Sequence, residues 1–376
     1  MRIHLSRPDI TEKEIEAVSA VLRTPDLSLG PKLVEFEEAL AGYIGRKRAV
    51  AVSSGTSGLF LCMLALGIGP GDEVITTPFT FIASATSIMM AGARPVFVDI
   101  DPVSLNIDAA KIESKITSKT KAILPVEIFG NPSGIEEVCK IAQKHKLVVI
   151  EDSCEALGSA LNGKKVGTFG GMSVFAFYPN KQITTGEGGM VLTDEDDLAD
   201  MCVSLRNQGR AKDSGWLSHE RMGYNFRLSD INCALGIVQL LRIDEIKAKR
   251  KQVAKWYQEM LGGDERLIVP AEPDDCDISW FVFVVRLAER FTRKQRDRIL
   301  EAMKGEGIGV GNYFPPVHLQ PFMVERFGYK EGDFPVTESV CKSTIALPFY
   351  NNLTKDEVAI VCRTLKESLD RILPVV

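Results

Sequence analysis

The sequence predicts an α/β fold: a large part built on a mixed, mainly parallel sheet, followed by a smaller C-terminal α+β part. Three observations predict it. Short apolar runs alternate with helix-period segments through the first half of the 376 residues. Several of those runs, "LVVIED" among them, are apolar at nearly every position, the pattern of strands covered on both faces. Past about residue 250 the alternation stops and a different texture begins.

Each element has its own signal. Thr11 and Glu14 form a capping box ahead of a stripe at Ile15, Val18 and Val21, so a helix starts at Thr11. "LVEFEEALAGYIG" reads as a second amphipathic helix stopped by Gly45. The alternation then begins: strand "RAVAVSS", helix "GTSGLFLCMLALGIG", strand "DEVITTP", helix "TFIASATSIMMAG", strand "RPVFVDI", strand "TKAILPVEIFG". Helix "IEEVCKIAQKHK" feeds "LVVIED"; "SVFAFYP" and "GGMVLTD" are strands, and "EDDLADMCVSLRNQG" is a helix. One long helical segment, "SDINCALGIVQLLRIDEIKAKRKQVAKWYQEML", links the two parts. Beyond it come a strand in "SWFVFVVRL" and helices in "TRKQRDRILEAMKGEG" and "DEVAIVCRTLKESLDRIL". The expected domains are 1–250 and 251–376, with the N-terminal segment packing on the smaller one.

Composition narrows the function. The net charge is −5 and no basic run stands out, which argues against nucleic acid as a partner. No apolar run approaches the roughly 18 residues a membrane helix needs, and the N-terminus lacks the apolar centre of a signal peptide. Eight cysteines without a CxxC pair read as reduced thiols of a cytoplasmic protein. Four scattered histidines predict no metal site.

Ligands of parallel α/β sheets bind beyond the C-terminal strand ends, so four junctions matter. "SSGTSG" (53–58) follows a strand and opens a helix; its small residues and free amides suit an anion, or serve only as a cap. Glu151 and Asp152 end a strand too apolar to be exposed, so each carboxylate needs a partner: a helix cap or a ring cation. Lys181 sits between the strand "SVFAFYP" and the turn "TTGEGG", with no neighbouring charge until Glu187. A free lysine titrates at about 10.4; desolvation would free its amine for Schiff-base chemistry. In "MGYNFRLSD", Asn225 and Arg227 precede a helix that Ser229 can cap, and arginine is shaped for phosphate. Two glycine-rich stretches fail as motifs. "GSALNGKK" lacks the Ser/Thr that a P-loop places after its lysine, and "GEGIGVG" lacks the GxGxxG spacing and a preceding strand.

An anion-binding helix start, a strand-end acid and a lysine in that order are the parts for pyridoxal 5'-phosphate. The chain resembles the DegT/DnrJ/EryC1/StrS group of PLP-dependent nucleotide-sugar aminotransferases. The likeness runs from "LSLGPKLVEFEEALAGYIG" through "PFTFIASA", "FYPNKQITTGEGG" and "YNFRLSDINCALG" to "HLQP". It implies the aspartate-aminotransferase-like fold (PLP fold type I). It implies that Lys181 binds the cofactor aldehyde and shuttles the proton, and that Asp152 pairs with the ring nitrogen. Thr56 and Ser57 would hold the phosphate, and Phe81 would stack on the ring. Glu155 stands where a Gln near the ring hydroxyl is usual. Asn225 would reach the phosphate of a neighbouring subunit, which implies a homodimer with shared sites. His318, Glu187 and Arg227 would lie toward the substrate.

Three positions depart from the group's pattern: Ala176 where Ser is frequent, Glu127 where His is common, and Glu155 itself. The resemblance implies glutamate as amino donor and a nucleotide-linked keto sugar as acceptor, with "TTGEGG" resembling members that aminate C4 of 4-keto-6-deoxy sugars. Two other readings are weighed against it. A sugar dehydratase of the same fold would carry His in place of Lys181, and a non-enzymatic regulator would not need the Lys181–Asp152 pair.

Overall fold

The computed structural model describes residues 2–211 and 217–372. Its first nine strands are β1 (Arg48–Val52), β2 (Glu73–Thr76), β3 (Arg94–Phe97), β4 (Thr120–Ile123), β5 (Val148–Asp152), β6 (Ala160–Leu161), β7 (Lys164–Lys165), β8 (Met172–Ala176) and β9 (Gly189–Thr193). Four more come later in the chain: β10 (Leu267–Ile268), β11 (Cys276–Asp277), β12 (Phe283–Leu287) and β13 (Thr344–Leu347).

The main sheet has seven strands in the order β1-β9-β8-β5-β4-β2-β3. Only β9 runs antiparallel to its neighbours; β8, β5, β4, β2 and β3 pair in parallel. The mixed, mainly parallel sheet expected from the apolar runs is therefore present. Because β9 opposes both β1 and β8, the C-terminal ends of β1, β5 and β8 share one edge, and the candidate site forms there.

Side chains alternate between the two faces, as the two-residue period requires. Val50, Val52 and Val174 pack with the helix Gly55–Ala65. Ala49, Ala51 and Phe175 pack with helices Pro31–Ile44 and Asp230–Leu241. Phe36 is fully buried there, 5.4 Å from the Phe177 ring; truncating such a side chain to alanine costs about 3–5 kcal/mol.

Local signals account for the ends of several elements. The Thr11–Glu14 capping box opens the first helix, and Gly45 closes the second at φ 93°. The long helical segment divides at Arg242 into Asp230–Leu241 and Ile243–Leu261. Strand β4 stops at Ile123, earlier than "TKAILPVEIFG" predicts. Pro125 has no N–H for a sheet ladder, and Phe129 turns the chain at φ 56°. The P-loop lookalike is a hairpin, β6 to β7, turning through Asn162 and Gly163, both at positive φ.

Strands β10, β12 and β13 form a second, antiparallel sheet. The periodicity did not mark β13, helix Pro321–Phe327 or helix Pro335–Ser343. The N-terminal segment pairs with distant chain: Ile3 exchanges hydrogen bonds with Gly307 and Gly309, and Phe349 N–H donates to Leu5. Among the described residues no helix is long and apolar enough to cross a membrane.

Candidate active site

Lys181 follows β8 on a tight turn, its amide donating to the Tyr178 carbonyl at 2.9 Å. Its side chain is 13% exposed. The Nζ atom lies 3.6 Å from Glu155 Oε1 and 4.0 Å from the centroid of the Phe281 ring. An ammonium over a ring face is held electrostatically. Arg250, fully enclosed, fixes the backbone beneath it. Its Nη2 donates to the Lys181 carbonyl at 2.9 Å, and its Nη1 donates to the carbonyls of Phe281 and Trp280 at 3.0 and 3.3 Å. Burial pulls the Arg250 guanidinium down to about 10.

Asp152 ends β5 and is buried. Ser84 Oγ donates to its Oδ2 at 2.6 Å, and the Cys154 amide approaches Oδ1 at 3.4 Å. The adjacent acid points to the opposite face, as strand geometry demands. Glu151 accepts from the amides of Gly167, Phe169 and Gly170 at 2.7–2.8 Å, with Arg46 3.7 Å away. Of the two strand-end carboxylates, one therefore anchors a loop and the other faces the candidate site.

Glu155 completes the floor. Its Oε2 accepts from Phe129 N at 2.9 Å, and Gln182 Nε2 holds its carbonyl at 2.6 Å. Burial pushes its carboxyl above the usual range, while the Lys181 charge and the Phe129 N–H pull it back. Glu127 is buried one strand away, with neither carboxyl oxygen hydrogen-bonded. Burial, then the Glu151 and Asp152 charges, hold Glu127 well above the ordinary carboxylate range.

The helix Gly55–Ala65 begins at the same edge. Ser54 caps it, accepting from Ser57 N at 3.1 Å, while Ser57 Oγ returns to the Ser54 carbonyl at 2.8 Å. The Ser57 hydroxyl is thus engaged in the cap, and Thr56 is the half-exposed residue beside it. The amides of Gly55 and Thr56, at the first two helical positions, have no intrahelical acceptor. A side chain on Gly55 would come within 2.8 Å of both Ala176 Cβ and Cys154 Sγ, so only glycine lets the helix start sit this close to β8 and β5.

The other predicted residues vary in placement. Phe81 is 58% exposed, and its carbonyl accepts from Ser84, tying it to the residue that holds Asp152. Asn225 and Glu187 are exposed. Arg227 donates to Asn207 Oδ1 at 2.9 Å. His318 faces no open space: it is fully buried, 3.1 Å from Glu338 Oε1, with its ring against Phe334. Sequence reasoning missed Ser84, Phe281, Arg250 and Gln182. Ser84 and Gln182 lie within "PFTFIASA" and "FYPNKQITTGEGG" but carried no signal of a role, and Phe281 and Arg250 meet the site only across the fold.

These residues fit a phosphorylated pyridoxal. Unpaired helix amides suit its phosphate, a buried carboxylate suits a ring cation, and an enclosed amine suits its aldehyde. A parallel sheet that gathers these three groups on one edge is the layout of a pyridoxal-phosphate enzyme. The sequence pattern of the DegT/DnrJ/EryC1/StrS aminotransferase family matches residues 8–366, and the chain belongs to that family. GDP-perosamine synthase of Caulobacter vibrioides is 37% identical over 370 residues, 98% of each chain. The structure of Helicobacter pylori PseC, an aminotransferase involved in the biosynthesis of pseudoaminic acid, superposes with a TM-score of 0.93 at 30% identity, covering 99% of this chain and 100% of that one. The PMP-form of the putative sugar aminotransferase Spr1654 from Streptococcus pneumoniae gives 0.95 at 29% identity, covering 99% of both chains. The same protein is also known in a PLP-form. The chain is accordingly a PLP-dependent aminotransferase acting on nucleotide sugars.

Proposed function

We propose that the chain transfers the amino group of glutamate to C4 of a nucleotide-linked 4-keto-6-deoxy sugar, supplying precursors of surface polysaccharide or other glycans. The observation that carries this reading is the Lys181 amine. It is enclosed by Glu155 and Phe281 and shares a sheet edge with Asp152 and the Ser54-capped helix.

Bound at this edge, pyridoxal phosphate supplies an electron sink and a carrier for the amino group. Lys181 would hold the aldehyde, and its Nζ would be the group that moves a proton at the reacting carbon. Asp152, held by Ser84, would face the ring nitrogen and favour a positive charge there. Thr56 and the first helix amides would orient the phosphate, while Ser57 holds the helix start in place through the cap. Phe81 would stack on the ring, and Glu155 would stand near the ring hydroxyl.

Asn225 reaches the phosphate of a second copy, so the working unit is a homodimer. The exposed apolar side chains of Phe81, Tyr178 and Met222 support a covered surface near this edge. Arg227 and Glu187 lie toward the nucleotide sugar, while His318, enclosed by Glu338 and Phe334, supports its segment from behind. The smaller part from about residue 251 forms a separate domain closing over the larger one. Eight unpaired cysteines suit the reducing cytoplasm.

Borohydride reduction of the cofactor-loaded protein, followed by peptide mapping, should fix the label on Lys181; label on another side chain overturns the reading. Incubation with glutamate and a panel of UDP-, GDP- and dTDP-linked 4-keto and 3-keto sugars, read by mass, identifies the acceptor. Amination only of 3-keto sugars would overturn the C4 assignment.

A further inference from the structure

A cleft of about 910 Å³ opens beside the candidate active site, between the loops after β3 and β4 and the outer face of β12. That volume suits a small organic ligand. Lys181, Asp152, Ser57 and Phe81 do not line it. Its apolar walls are Leu105, Ile128, Phe129, Trp280 and Val284. Arg286, two residues after Val284 on the same strand face, supplies a cation.

Arg286 sets this cleft apart from an ordinary crevice. The guanidinium is half-buried, yet among the described residues it forms no hydrogen bond or ion pair. Burial lowers its affinity for its proton, opposed by the charge of Glu289. A guanidinium taken partly out of water without an acceptor loses free energy that a bound carboxylate would restore.

The acids around the cleft are engaged with other groups. Asp101 accepts from the Val103 and Ser104 amides, and Asp108 is 2.9 Å from Lys111. Glu272 is 3.0 Å from Lys251, and Glu137 is 3.5 Å from Lys140. Among the described residues that line the cleft, Arg286 is left as the one cation, with no acid of the rim paired to it, which suits a ligand carrying a single negative charge.

We propose that this cleft is a second ligand site, separate from the Lys181 site, that takes an organic monocarboxylate with an apolar body and holds it through Arg286. The two sites share a wall. Phe129 lines the cleft and donates its amide to Glu155, and Trp280 lines the cleft while its carbonyl accepts from Arg250. The proposal stands whether or not the acceptor assigned above is correct.

Calorimetric titration of the cofactor-loaded protein with 2-naphthoate tests it, with uncharged 2-naphthalenemethanol titrated in parallel. Saturable one-to-one binding of the acid is expected, about tenfold or more tighter than the alcohol. Arg286→Gln should remove that difference, and Arg286→Lys should keep part of it. Saturating glutamate should leave naphthoate affinity unchanged. No saturable binding to the wild-type protein, equal affinities for acid and alcohol, or displacement of naphthoate by glutamate would each overturn the proposal. The acid–alcohol comparison in the wild-type protein stands even if a variant fails to fold.

Discussion

Ser84 Oγ donates to Asp152 Oδ2 at 2.6 Å, joining the start of helix Ala83–Met90 to the end of β5. Ser84 in turn sits 2.8 Å from Thr80 Oγ1, so the bond belongs to a short hydroxyl chain. It orients the carboxylate assigned to the ring nitrogen and ties it to the turn that presents Phe81. A hydrogen bond to a charged group contributes about 1.5–3 kcal/mol. Ser84→Ala should therefore weaken cofactor retention by about tenfold or more, measured as loss of visible absorption on dialysis. Unchanged retention would mean that Asp152 needs no such support.

Glu155 places a carboxyl 3.6 Å from Lys181 where a neutral side chain is usual in the family. Ionised, it favours the protonated form of the lysine–cofactor linkage. Glu155→Gln removes that charge, so the linkage should lose its proton at a pH lower by about one unit. A pH titration of the visible absorption reads this directly, and a stationary midpoint would show Glu155 to be neutral throughout.

Glu127 is buried with both oxygens unpartnered, and its folded carboxyl stays protonated well above its ordinary value of 4.5. The unfolded chain releases that proton first, so the folded state binds more protons and loses stability as pH rises beyond 4.5. The loss is about 1.4 kcal/mol per pH unit while only the unfolded carboxyl is ionised. Glu127→Gln should flatten this slope and raise the melting temperature at pH 8 more than at pH 5. Parallel slopes for the two proteins would disprove it.

Arg242 gathers three acids: Glu14 at 2.7 Å, Asp9 at 3.1 Å and Glu245 at 3.2 Å. Burial pushes Glu14 up, but hydrogen bonds from Thr11, Arg242 and Gln239 outweigh it and bring its carboxyl down to about 2. The sign is opposite to that of Glu127. Stability from Glu14 is complete above 4.5 and is lost as pH falls from there toward 2. Arg242→Met should cost about 3 kcal/mol in urea unfolding at neutral pH. Glu14→Gln should weaken the dependence of the urea midpoint on pH between 4.5 and 2.

The strand ends were legible because apolar alternation and capping residues act over a few positions. "LVVIED" reads as a buried strand, and "SSGTSG" as the start of a helix, whether capped or open to an anion. Those local signals brought Asp152, Lys181 and the Gly55 helix start to notice. The same signals could not say which of Glu151 and Asp152 faces the ligand edge. Nor could they say that Ser57 spends its hydroxyl on the cap or that His318 is sealed against Glu338.

The order of chemical groups along the chain, and the strand or helix end on which each lies, were determined by sequence alone, since period and capping are properties of neighbouring residues. Ser84 against Asp152, Phe281 beneath Lys181, Arg250 on the carbonyls of Lys181, Trp280 and Phe281, and Arg286 in the cleft were decided only by tertiary structure. Such contacts join residues far apart in the chain, and their partners are fixed by how the helices and the second sheet pack on the first.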